Sequence, residues 1–247
     1  MYNWNWKILT DLSPDGVNTY IQTLINGLGW TLTVALTAWV MALILGGIVG
    51  VIRTTPIKWM VNFGNAYVEL FRNIPLLVQM FLWFYVVPEL LPTALGSAIK
   101  AWPNYSVLAA ILCLGFFTSA RVAEQVKAGI QALPRGQNMA GTAIGLTMPQ
   151  TYRYVLLPMA GRIVIPPLTS EFLNIIKNSA VAFTISVVEL MGAARSMQEF
   201  SFQVFEAFTA ATIIYLVING CVILLMRTIE HFTRVPGFIT SGGGGGH

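Results

Sequence analysis

Apolar stretches of eighteen or more residues recur along the chain and set its plan. A bilayer core is roughly 30 Å thick and takes about 20 apolar residues in helical form. The runs predict spanning helices at about 28–52, 61–87, 106–133, 163–188 and 205–226. A closed β-barrel is the other way to cross a membrane, and it needs alternating segments of about ten residues. The run LTVALTAWVMALILGGIVGVI does not alternate. The expected fold class is an all-α membrane protein with five transmembrane helices.

Polar residues interrupt this plan inside three of the helices. The second holds Glu69, Arg72 and Pro75, the third Arg121 and Glu124, the fourth Glu171 and Lys177. A charge at the centre of a span costs about 2.5–3.5 kcal/mol on insertion scales, so these groups should face the protein interior and pair. Glu69 with Arg72, and Arg121 with Glu124, are spaced i, i+3, close enough to touch on one helix face. Glu69 and Arg72 read as a structural ion pair, beside a backbone carbonyl that Pro75 frees and that also needs a donor. Pro166 and Pro167 fall in the first turns of the fourth helix, where proline is best tolerated. Gly46 and Gly50 form a small-xxx-small pair that lets another helix approach closely.

Between the third and fourth helices lies Gly129–Pro158, GIQALPRGQNMAGTAIGLTMPQTYRYVLLP. It is rich in small residues, punctuated by Pro134, Pro149 and Pro158, and carries Arg135 and Arg153. It is neither a span nor a short loop. Met139, Ile144, Leu146 and Met148 offer an apolar strip, and Ala140, Gly141, Ala143 and Gly145 leave the backbone open to a partner surface. A helix lying on the membrane surface is the plainer alternative, and the residues alone leave both open.

Composition agrees with the class: 55% hydrophobic, 10% charged, mean hydropathy +0.68 over 247 residues. The net charge of +4 is small, and its distribution matters more. Arg53, Lys58, Lys127, Arg135, Arg153, Arg162, Arg227 and Arg234 fall on or near one side of a five-span layout. Lys7, Lys100 and Arg195 fall on the other, with Asp11, Asp15, Glu89, Glu199 and Glu206. The positive-inside rule then puts the N-terminus outside and the 134–158 loop and C-terminus in the cytoplasm. Cys113 and Cys221 sit in apolar runs and read as buried thiols rather than a disulfide or metal pair. The opening residues lack the pattern of a cleavable signal peptide. The terminal SGGGGGH, 241–247, reads as an appended linker and the start of a tag, leaving a single domain over 1–240 and His231 as the only native histidine. No metal site is expected.

The 129–158 stretch resembles the cytoplasmic "EAA" loop of permease subunits in bacterial ATP-binding-cassette importers. That pattern is Glu-Ala-Ala, three residues, Gly, then nine residues before Ile-x-Leu-Pro. Here Met139-Ala140-Gly141 opens it, Gly145 is the glycine, and Val155-Leu156-Leu157-Pro158 closes it. Met139 replaces the family's glutamate. YVELFRNIPLLVQ (Tyr67–Gln79), ARVAEQVKAGIQ (Ala120–Gln131) and NIIKNSAVAFTISVVEL (Asn174–Leu190) resemble further motifs of the polar-amino-acid subgroup, most closely the permeases of glutamate/aspartate importers.

The resemblance implies the fold of a type I importer permease in the bacterial inner membrane, with a coupling helix between helices 3 and 4. Arg135, Gly136, Met139, Ala140, Gly141, Ala143, Gly145 and Leu146 would meet a cytoplasmic ATPase dimer. The chain itself has no GxxxxGK[ST] phosphate loop, so ATP and magnesium belong to that partner and no cofactor or catalytic residue is expected here. A second homologous permease, or a second copy, would complete the pathway, and a soluble binding protein would deliver the substrate. Arg121 stands where relatives carrying neutral amino acids have an uncharged residue. Asn178 stands where relatives carrying cations have aspartate. Both point to an anionic amino acid, because arginine meets carboxylate through two parallel hydrogen bonds. Glu124 or Glu171 would meet the ammonium group, and Lys177, Asn178 and Ser179 would line the path, with Gln79 and Thr118 as further candidates. The aromatic run Phe81–Tyr85 reads as packing rather than recognition. The alternatives are a permease for another polar amino acid, or an ion-coupled secondary transporter. The latter would carry an inverted repeat that five spans do not display.

Overall fold

The computed structural model describes residues 2–233, with the side chains of Arg135, Asn138, Ala140 and Thr142 outside the description. Arg234 and the glycine-rich end therefore also lie outside it. The described residues are helical, with no β-strand among them. In chain order they form α1 (Tyr20–Ile52), α2 (Lys58–Asn73), α3 (Leu76–Leu90) and α4 (Thr93–Lys100). Then come α5 (Tyr105–Gln131), α6 (Arg135–Ala143), α7 (Met148–Ile185), α8 (Leu190–Ser201) and α9 (Val204–Thr233). Helices α1, α5 and α9 are long and apolar enough to cross a bilayer. Two further crossings, up to five, arise if each of the bent pairs α2–α3 and α7–α8 is one span.

The first span begins eight residues before its apolar run, because Thr19 and Gln22 close a capping box at its start. The second is not one helix. It breaks by 101° between α2 and α3, at Pro75. Proline has no N–H to donate and pushes the residue before it into extended backbone, which is where Ile74 sits. The carbonyls stranded by the break find a donor in Gln79, whose Nε2 donates to Phe71 O at 2.8 Å and Ile74 O at 3.0 Å. Arg72 does not do this work, and Gln79 is buried in doing it.

The fourth span starts at Met148 rather than near 163, so Pro166 and Pro167 lie in the helix interior and not in its first turns. Its last seven residues, Ser179–Ile185, tighten into a 3-10 turn, and Ser186 turns left-handed before α8. The polar segment Arg195–Ser201, between the fourth and fifth apolar runs, is not a loop but the second half of α8. Helix α8 is capped from its start by Glu189, whose carboxylate accepts from the Met191 and Gly192 amides at 3.0 and 2.8 Å. The same carboxylate accepts from Tyr215 OH on α9 at 3.0 Å and Thr31 Oγ1 on α1 at 3.3 Å. A fully buried acid is thus satisfied by four donors from three helices.

Helix α5 is the centre of the fold and α9 its rim, with 61% and 17% of their apolar windows buried. The α1–α5 contact is the most extensive. It is close because of Gly46 and Gly50: a Cβ on either would stand 2.6 Å from Val122 or Val126 of α5. The main core joins α1, α3, α5 and α7 through Val34, Ala38, Met80, Leu114, Ile175 and Ile176. Cys113 lies in that core, whereas Cys221 is exposed on α9. Of the Phe81–Tyr85 aromatics, Trp83 stacks on Phe116 and Phe84 on Tyr105, whereas Phe81 and Tyr85 are exposed. Tyr105 OH donates to the Trp83 and Phe84 carbonyls, within a widened helical turn at Leu82–Val86.

Candidate functional site

The charged residues of α2, α5 and α7 converge. Arg72, Arg121, Glu124, Gln125 and Glu171 line one cavity of about 340 Å³. Pro75 ends α2 and aims Arg72, in its last turn, at α5. Arg72 lies one turn beyond Val68, which is buried on the face turned to α5, while Glu69 lies off that face and is exposed. The expected Glu69–Arg72 pair is therefore replaced. Arg72 Nη1 stands 3.2 Å from Glu124 Oε1, across the helix–helix contact.

The Arg121–Glu124 pair is also replaced. Helical side chains lean toward the N-terminus, and the Arg121 guanidinium lies over the Phe117 ring, 4.4 Å from its centroid. That contact draws it back one turn, away from Glu124. Its nearest carboxylate is Glu171 on α7, with Nη1 4.0 Å from Oε2, too far for a hydrogen bond. Glu171 Oε2 is buried and has no hydrogen-bond partner. Glu124 instead pairs with Arg53, the residue that ends α1: Arg53 Nη2 to Glu124 Oε1 is 2.9 Å. By its position at the end of the first apolar run, Arg53 reads as one of the cations flanking the spans. It is one of the most buried charges in the molecule, with 5% of its side chain exposed.

The other candidates do not line this cavity. Asn178 is seven residues from Glu171, about 10 Å along a helix axis. Ser179 is buried and its hydroxyl donates to Ile176 O at 2.7 Å. Lys177 is exposed. Gln79 serves the α2–α3 break, and Thr118 is buried on α5. Sequence spacing missed Arg53 and Gln125. A basic residue immediately after an apolar run reads as a flank, and only the fold of α2 back against α1 encloses Arg53.

The second candidate region is α6. Of the 134–158 stretch, only Arg135–Ala143 and the turn after it stand apart from the long helices, since α7 already runs from Met148. Gly145 makes the turn with φ +79°, a backbone region open to glycine. Thr147 caps α7 with Gln150. Met139 and Ile144 are 70% and 75% exposed, and Gly136, Ala143 and Gly145 are exposed too, with Leu146 half-buried. Gly141 is different. It is buried, and a Cβ there would stand 2.8 Å from Thr151 Cγ2, so its small size serves packing of α6 on α7. The side chains of Arg135 and Ala140 lie outside the described residues.

Known proteins place this arrangement. A glutamate/aspartate import permease protein, GltJ, of Escherichia coli K12 is 46% identical over 238 residues, covering 95% of this chain and 97% of that protein. GltK of Escherichia coli O157:H7, also a glutamate/aspartate import permease protein, is 30% identical over 237 residues, covering 94% and 100%. The crystal structure of an amino acid ABC transporter with histidines matches the fold with TM-score 0.74 at 29% identity, over 86% of this chain and 95% of that one. The family described as binding-protein-dependent transport system inner membrane component matches residues 42–235. This chain belongs to that family and is a multi-pass inner-membrane permease subunit of an ATP-binding-cassette importer.

Proposed function

We propose that this permease carries acidic amino acids, glutamate and aspartate, inward through the cavity lined by Arg72, Arg121, Glu124, Gln125 and Glu171. The observation that carries the reading is the division of charge in that cavity. Arg121 makes no hydrogen bond to a carboxylate, and Glu171 Oε2 has no hydrogen-bond partner. An acidic amino acid supplies what each lacks, a carboxylate for the Arg121 guanidinium and an ammonium group for Glu171. Its second carboxylate would go to Arg72, which shares Glu124 Oε1 with Arg53. Bidentate pairing of guanidinium with carboxylate fits this use. The volume, about 340 Å³, is at the small end of ligand cavities. The names of the two import permeases that the chain resembles agree.

The pathway is completed by a second homologous permease or a second copy, and a binding protein delivers substrate on the N-terminal side. Lys58, Lys127, Arg153, Arg162 and Arg227 favour a cytoplasmic position for α6 even with Arg53 removed from the count. There α6 meets the ATPase that holds ATP and magnesium. Exposed Met139 and Ile144, with the bare backbone at Gly136 and Gly145, form the docking surface. Closure of the ATPase dimer moves α6, and the helices switch between outward and inward openings, a shift limited by the difference in binding free energy between the two states.

The test is Arg121→Ala in the reconstituted complex. Substrate-stimulated glutamate uptake is expected to vanish while the subunits stay assembled. Uptake with unchanged affinity would make Arg121 structural and remove the acidic reading. Uptake driven by an ion gradient without the ATPase would overturn the mechanism.

A further inference from the structure

We infer that Arg53, which does not line the cavity, is a specificity-determining residue: by neutralising Glu124 it leaves the site one net positive charge for an acidic substrate. The inference rests on the acidic-amino-acid reading of the same cavity. Three guanidiniums (Arg53, Arg72, Arg121) and two carboxylates (Glu124, Glu171) make up the cluster, a net charge of +1. Lys127, one turn beyond Glu124, differs from Arg53: among the described residues it neither lines the cavity nor forms an ion pair with either carboxylate. Without Arg53 the cluster is neutral. A neutral cluster in a low-dielectric span matches a zwitterion without net charge, such as glutamine. A net −1 substrate would remain uncompensated there, at a large cost.

Arg53 is built into this position. Its Nε donates to Asn65 Oδ1 of α2 at 2.9 Å and its Nη2 to Glu124 of α5. Its aliphatic stem runs against Gly64, where a Cβ would stand 2.5 Å from Arg53 Cγ. It also competes with Arg72 for one oxygen, since both point at Glu124 Oε1. Removing Arg53 would hand Glu124 wholly to Arg72 and withdraw Arg72 from the substrate. Glu124, held from two sides, is in turn unavailable to the substrate ammonium, which leaves that role to Glu171.

The experiment measures equilibrium binding of radiolabelled glutamate and glutamine to the purified detergent-solubilised complex of permeases and ATPase, without the binding protein. Arg53→Gln is expected to weaken glutamate binding at least tenfold while leaving glutamine binding within a factor of about two. Arg53→Lys keeps the charge and is expected to retain most glutamate binding. Arg53→Gln combined with Glu124→Gln restores the net +1 and is expected to recover glutamate binding. A double variant that binds glutamate no better than Arg53→Gln, or that fails to assemble, would make Arg53 a structural ion pair only. An Arg53→Gln complex that keeps the wild-type preference overturns the inference alone. A wild-type complex without preference for glutamate overturns the acidic reading itself.

Discussion

The Tyr152 hydroxyl at the start of α7 donates to the Thr54 carbonyl at 2.8 Å, one residue from the Arg53 that grips Glu124. Thr54 Oγ1 lies 3.1 Å from the same hydroxyl. The segment that follows α6 is thereby tied to the end of α1, and the end of α1 to the cavity. Tyr152→Phe removes the tie and keeps the ring. A neutral hydrogen bond contributes about 1 kcal/mol, roughly a fivefold change in a two-state equilibrium. The expected outcome is less uptake per ATP hydrolysed, by up to about fivefold, with glutamate binding unchanged. Proteoliposome uptake measured alongside ATPase rate checks it.

Gln79 answers for the break at Pro75. Gln79→Leu keeps the apolar volume but strands the Phe71 and Ile74 carbonyls inside the protein. Each unsatisfied buried group costs about 1–3 kcal/mol. The complex should melt at a lower temperature, with Gln79→Glu intermediate only if it is protonated and can still donate. A thermal melt equal to wild type would show that another donor serves those carbonyls.

Glu189 gathers α1, α8 and α9 on one carboxylate. Glu189→Gln retains an acceptor for part of the set, whereas Glu189→Leu leaves the α8 amides, Thr31 and Tyr215 without it. Loss of an N-cap alone costs about 0.5–2 kcal/mol. Stability is expected to fall in the order wild type, Gln, Leu. Purified yield and melting temperature of the two variants decide the order.

Asp15 supplies a pH prediction outside the membrane. The Asn18 side chain, then the Asn18 and Val17 amides and the Ser13 hydroxyl, hold its carboxyl well below the usual carboxylate range. A depressed folded pKa means that the turn is stabilised above the unfolded value, about 3.9, and loses that support as pH falls toward the folded value. The Val17 and Asn18 amides should stay protected from hydrogen exchange at pH 4–5 and loosen only in stronger acid, after correction for intrinsic rates. Asp15→Asn should remove the acid dependence.

The class of the protein was legible in the chain because burial in lipid forces long apolar runs, and these are one-dimensional features. The Gly46–Gly50 pair was legible for the same reason: it acts on one face of one helix. Pro75 announced a disturbance, though not a break of 101°. Start points were less legible, since caps such as Thr19 with Gln22 and Thr147 with Gln150 extend helices into polar sequence.

The ion pairs were decided elsewhere. Spacing along a helix brings Glu69 near Arg72 and Arg121 near Glu124, but those energies are small and solvent-screened. Packing α2, α5 and α7 together offers Glu124 the buried Arg53 and draws Arg121 onto Phe117 toward Glu171, and in a low-dielectric interior such contacts prevail. The sequence by itself determined that Arg72, Arg121, Glu124 and Glu171 must find partners inside the protein, because lipid cannot solvate them. Only the tertiary structure decided which partners, because Arg53, Glu124 and Glu171 lie on separate helices that meet only when α1, α2, α5 and α7 are packed.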